Sequence, residues 1–122
     1  MGSPATSLGR KDNQVEIKDH PSNPKKLEVP GTDPFWVSKS KKEIAEWSCK
    51  RSQENHQHGP NCFTVKFDKQ NGSPFKSAVF TSDNNGKAVS DETVVEPGDT
   101  IYEYRIQAAG KDDLDPGGGV RG

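Results

Sequence analysis

Across the span 45–106, apolar residues recur at every second position in short runs, and turn-forming residues separate one run from the next. Phe63, Val65 and Phe67 alternate with Thr64, Lys66 and Asp68, the period of a strand with one buried face. Ala45, Trp47 and Cys49 share one face in the same way, against Glu46, Ser48 and Lys50. Tyr102, Tyr104 and Ile106 alternate with Glu103 and Arg105, which predicts a strand in the middle of a sheet. Asn71-Gly72, Asp83-Asn84-Asn85-Gly86 and Glu96-Pro97-Gly98-Asp99 provide the reversals, because Asn, Asp and Gly accept the backbone angles of tight turns. Strands about ten residues apart with turns between them predict a mostly β fold, a single antiparallel β-sandwich.

The rest of the chain sets the limits of that domain. Residues 1–13 hold a single large apolar side chain besides Met1, Leu8, and read as a flexible tail. Val15-Glu16-Ile17 alternates for one short strand, and His20, Pro21, Pro24, Pro30 and Pro34 then predict an edge strand followed by extended loop. Ser40 with Glu43 three positions on has the form of a helix capping box, but the alternation from Ala45 to Cys49 favours strand. Past Ala109 apolar residues thin out, and Asp115-Pro116-Gly117-Gly118-Gly119 reads as highly flexible chain. The expected organisation is a β-sandwich domain over 14–110 between tails at 1–13 and 111–122.

Composition excludes several classes of function. A chain of 122 residues has room for one domain, and 28% hydrophobic content allows a modest core. A net charge of -1 argues against a nucleic-acid binder, and Lys39, Lys41 and Lys42 are followed at once by Glu43 and Glu46. No apolar stretch is long enough to span a bilayer. Met1-Gly2-Ser3 reads as a cloning scar, which leaves the compartment open, with a periplasmic or secreted setting favoured. Asn71-Gly72-Ser73 matches the glycosylation sequon, but the turn reading is preferred.

Ala45-x-Trp47, the polar loop after it, and Cys62-Phe63-Thr64-Val65 together resemble a cupredoxin-type β-sandwich, the fold of the small blue copper proteins. Pro97-Gly98-Asp99-Thr100-Ile101-Tyr102-Glu103-Tyr104 is similar to that family's Pro-Gly turn ahead of a Tyr-rich strand. The resemblance covers 29–106 and is shared by immunoglobulin-like sandwiches. It implies a scaffold without the copper chemistry. A blue copper site needs a Cys, a second His and a weak axial Met after the Tyr-rich strand, and none follows Tyr104. Met1 is the only methionine, and Cys62 stands where the family places its first His.

Cys49, His56, His58 and Cys62 gather four thiol and imidazole groups in one short stretch between two strands. Three readings are open: a Cys49–Cys62 disulfide, thiols that fill core space, and a zinc or copper(I) site formed with the two histidines. The disulfide needs a bend at Asn61, because Cys62 is out of step with Phe63. His56, His58 and His20 taken alone read as solvated loop residues. Asp112, Asp113 and Asp115, and the pair Asp91 and Glu92, read as solvated charge, since their spacing is not that of a calcium loop. Trp36 reads as core; exposed beside Tyr102 it would form an aromatic platform.

No nucleophile elbow, phosphate loop or spaced acid pair is present. The expected function is therefore that of a non-enzymatic, monomeric binding module for an unidentified protein or small ligand, without cofactor. The alternative is a zinc or copper(I) carrier built on the Cys49, His56, His58 and Cys62 loop.

Overall fold

A computed structural model describes residues 12–49 and 62–122, and among these there is no helix. Ten short strands run in the order β1 (Gln14–Asp19), β2 (Leu27–Glu28), β3 (Phe35–Ser38), β4 (Glu46–Cys49), β5 (Thr64–Lys66), β6 (Val79–Thr81), β7 (Lys87–Val89), β8 (Tyr102–Glu103), β9 (Arg105–Gln107) and β10 (Gly117–Arg121). They form one sheet in the order β2-β1-β4-β7 and two three-stranded sheets, β3-β10-β8 and β6-β5-β9. The run 102–107 joins the latter two. Beside β10 at β8 and β5 at β9, it also hydrogen-bonds through Tyr104 N to Pro116 O and Ile106 N to Leu114 O, both 2.8 Å. This small all-β, open-sheet arrangement is compatible with a β-sandwich.

Several expectations require correction. The sheets are mixed rather than antiparallel, because β1 pairs parallel with β4 and β3 parallel with β10. The strand containing Val15 is not at an edge. The proline-rich loop after it folds back, His20 N bonds Lys26 O at 2.9 Å, and β2 covers that side. The C-terminal tail expected over 111–122 contains β10, a strand between β3 and β8 that carries the buried Val120. The tail expected over 1–13 lies outside the described residues except for Asp12 and Asn13.

Three glycines explain how β10 reaches the centre of its sheet. Strand alternation sends Gly118 to the same face as Phe35, its parallel partner, and Gly119 to the same face as Trp36. A Cβ at 118 would come within 3.0 Å of the Phe35 ring, one at 119 within 3.0 Å of the Trp36 ring, and one at 117 would stand 2.6 Å from Ile101 Cγ2. Neighbouring side chains fill the room left by the missing Cβ atoms, so composition that reads as flexible serves close packing. Asp33 Oδ1 accepts the Gly117 N–H at 2.9 Å and holds the start of the strand.

The alternation in the middle of the chain is borne out. Trp47, Phe63, Phe67 and Tyr104 are all buried, as are Ala45, Val65 and Ile106. Phe35, Trp47, Phe67, Phe75, Phe80 and Tyr104 form one cluster with ring centroids 4.8 to 6.4 Å apart, mostly in tilted or edge contacts. The capping-box residues form a turn instead of a helix. Glu43 Oε1 accepts the Ser38 N–H at 2.8 Å, Glu43 N donates to Ser38 O, and Lys42 takes a φ of 58°. In the turn before β7, Asp83 Oδ1 accepts the N–H groups of Lys87 and Asn85, which holds its carboxyl below the usual range.

Inside the aromatic cluster, Trp47 Nε1 donates to the Tyr104 hydroxyl at 3.1 Å. Burial pushes the Tyr104 phenol up from its ordinary value, the Trp47 hydrogen bond opposes this, and Asp33 adds to it. An unfolded chain sheds that proton near pH ~10 while the folded chain retains it. The contribution is complete below that pH and is lost as the pH rises from there through the folded-state value. Tyr104→Phe is expected to lower stability by about 1–3 kcal/mol at neutral pH, because the Trp47 N–H loses its acceptor. The deficit should shrink in urea unfolding measured above pH ~10; a deficit constant with pH would contradict the burial argument.

Candidate functional site

The chemistry of its thiols and imidazoles makes the polar stretch between β4 and β5 the first candidate. Cys49 ends β4, where Cys49 N donates to Gly86 O at 2.9 Å, and Cys62 lies two positions before β5. Their sulfurs are 3.3 Å apart, and both side chains are buried in the core cluster. A disulfide needs about 2.05 Å, so the pair is in contact without being bonded. Cys62 and Phe63 are both buried in succession, since the regular ladder starts only at Thr64 and alternation does not bind the residues before it. Phe63 is fixed by Ser82, whose Oγ accepts its N–H and whose N–H donates to its carbonyl, both at 3.1 Å.

His56 and His58, the other members of the expected metal set, lie outside the described residues. Among the described residues, no group of three or more His, Cys, Asp or Glu side chains is placed to hold a metal ion.

A second site was not legible in the sequence. The turn 39–44 and the segment 90–93 enclose an open cleft of about 500 Å³. Its base is rigid. Ser90 Oγ accepts the Ala45 N–H at 2.9 Å, Ser90 N donates to Ala45 O at 2.8 Å, and Thr93 Oγ1 donates to Glu43 O at 3.2 Å. Ile44 offers a partly exposed apolar surface in the cleft. Lys39 is engaged with Glu96 at 2.8 Å, and Asp91 accepts the Ser77 N–H at 3.1 Å. Lys42 and Glu92 are exposed on the cleft lining, and no ion pair holds either among the described residues. Asp91 and Glu92 read in the sequence as solvated charge, and Glu92 is exposed; the turn that faces them is more than forty positions away in the chain, so no local pattern marks the cleft.

The remaining candidates are used by the fold. Asp113 Oδ2 accepts from Arg105 at 3.1 Å, and Asp115 pairs with Lys69 at 3.5 Å. His20 is half-buried, and its Nδ1 accepts the Ser22 N–H at 3.0 Å. Asn71 Nδ2 donates to Ile101 O at 2.9 Å, and Gly72, with a φ of 73°, closes the turn expected there. Trp36 is half-buried and lies across Gly119. By register, Trp36 and Tyr102 fall on opposite faces, because Tyr102 is opposite Gly118 on the Phe35 side. The two rings therefore do not form a platform together. No helix is long and apolar enough to cross a membrane among the described residues. No family model, no curated protein and no solved structure matches this chain.

Proposed function

We propose that this protein is a non-enzymatic β-sandwich of cupredoxin-like or immunoglobulin-like build that acts as a binding module. Its contact surface is the cleft between the turn 39–44 and the segment 90–93. The observation that supports this reading is the cleft itself. Its volume of about 500 Å³ falls in the range of small-ligand sites, roughly 300–1,000 Å³. It combines an apolar wall at Ile44 with Lys42 on one side and Glu92 on the other, above a base whose polar groups are satisfied. The ligand that suits it carries an apolar group and opposite charges, as a small peptide or amino-acid derivative does.

A screen of amino acids, dipeptides and sugars against the full chain, read by amide chemical shifts, tests this. Shifts are expected at 39–44 and 90–93. Ile44→Asp should abolish binding while changing stability by no more than about 0.5 kcal/mol, as surface substitutions do. Hits that map elsewhere, or that bind Ile44→Asp equally well, would reject the cleft.

The close approach of Cys49 and Cys62 favours a second reading, a zinc or copper(I) carrier, since two adjacent thiolates suit both ions. On that reading His56 and His58 complete the set. A stoichiometric zinc complex that His56→Ala with His58→Ala abolishes is the expected result. Zinc retention by the double variant removes the histidines from the site.

A further inference from the structure

We propose that Cys49 and Cys62 close a reversible disulfide that clips the end of β4, in one sheet, to the chain entering β5, in another. The case is geometric and independent of the cleft. The two sulfurs, thirteen positions apart in sequence, stand 3.3 Å apart on elements that are not hydrogen-bonded neighbours. Cys49 is anchored by the β4 ladder, in register with Ile17 on β1, and by its N–H bond to Gly86. Cys62 precedes the first ladder position of β5 at Thr64, so the small approach that separates contact from a bond falls on Cys62. Simple core filling does not require two thiols to face each other this closely.

The oxidant is a small disulfide such as oxidised glutathione. The Cys62 thiolate, on the chain just ahead of the β5 ladder, attacks one sulfur of the oxidant and releases one thiolate. Cys49, as thiolate, then attacks the Cys62 sulfur and expels the second. A protein S–S bond forms, the oxidant's S–S bond breaks, and the two protein protons end on the two released thiols. Two electrons have passed from protein to oxidant. The bond closes the loop between β4 and β5, which constrains the unfolded chain and stabilises the folded one in an oxidising compartment.

The full chain is reduced with a phosphine, freed of it, and incubated with oxidised glutathione. The expected product is monomeric and lighter by two hydrogens, with no retained glutathione. Digestion should link the peptides that carry Cys49 and Cys62. Tm should rise by on the order of 10 °C and fall back on reduction. Cys49→Ser should instead keep glutathione on Cys62, because the resolving sulfur is gone. Should that variant not fold, the mass and linkage of the native chain decide alone. A native chain that stays fully reduced, retains glutathione or cross-links into dimers would overturn the proposal. Stoichiometric zinc uptake that blocks oxidation would do the same.

Discussion

Trp47→Ala is expected to remove about 3–5 kcal/mol of stability, the range for deleting a buried aromatic from a core. Domains of this size have only about 5–15 kcal/mol in all. Trp47 is wholly buried on β4 and touches Phe35, Phe67, Phe80 and Tyr104 at ring separations of 5.8, 6.3, 6.0 and 5.8 Å. Its removal opens a cavity between the sheets and leaves the Tyr104 hydroxyl without its donor. Urea unfolding followed by far-ultraviolet circular dichroism reads the loss, with Trp47→Phe expected to fall between the two. A loss below about 1 kcal/mol would mean that the aromatic cluster is not the centre of the core.

Gly118→Ala should be nearly as damaging, although it adds a single methyl group. The new Cβ would overlap the Phe35 ring, which is itself walled in by Trp47, Phe67, Phe75 and Tyr104. Overpacking of this kind costs about 1–3 kcal/mol, and the lack of room for Phe35 to turn aside places the expectation at the upper end. Gly98 provides the contrast. A Cβ there would meet nothing within 4 Å, and its backbone is not in the left-handed region, so Gly98→Ala should be neutral or stabilising by about 0.4–1 kcal/mol. Thermal unfolding of the two variants side by side checks the argument. Equal behaviour would show that β10 does not pack against Phe35.

The candidate site was legible only in part. Cys49 and Cys62 could be picked out by their chemistry, but their contact could not, because Cys62 lies ahead of the β5 ladder, where strand alternation no longer fixes the face. The cleft could not be found this way. Ile44 and Glu92 are ordinary residues, and what makes them a site is the pairing of Ser90 with Ala45, which brings two distant segments together.

Within the alternating runs between Ala45 and Ile106, sequence alone determined which side chains enter the interior, because the two-residue period of a strand is a local property. It decided the faces of Trp47, Phe67 and Tyr104 correctly. Only the tertiary structure decided which strands lie side by side and in which direction. β1 runs parallel to β4, and β10 runs between β3 and β8, through contacts that no local pattern encodes. The glycines of β10 show why. A residue without a side chain permits loose chain or close packing equally well, and the choice falls to whatever comes near it, here the rings of Phe35 and Trp36, more than eighty positions earlier in the chain.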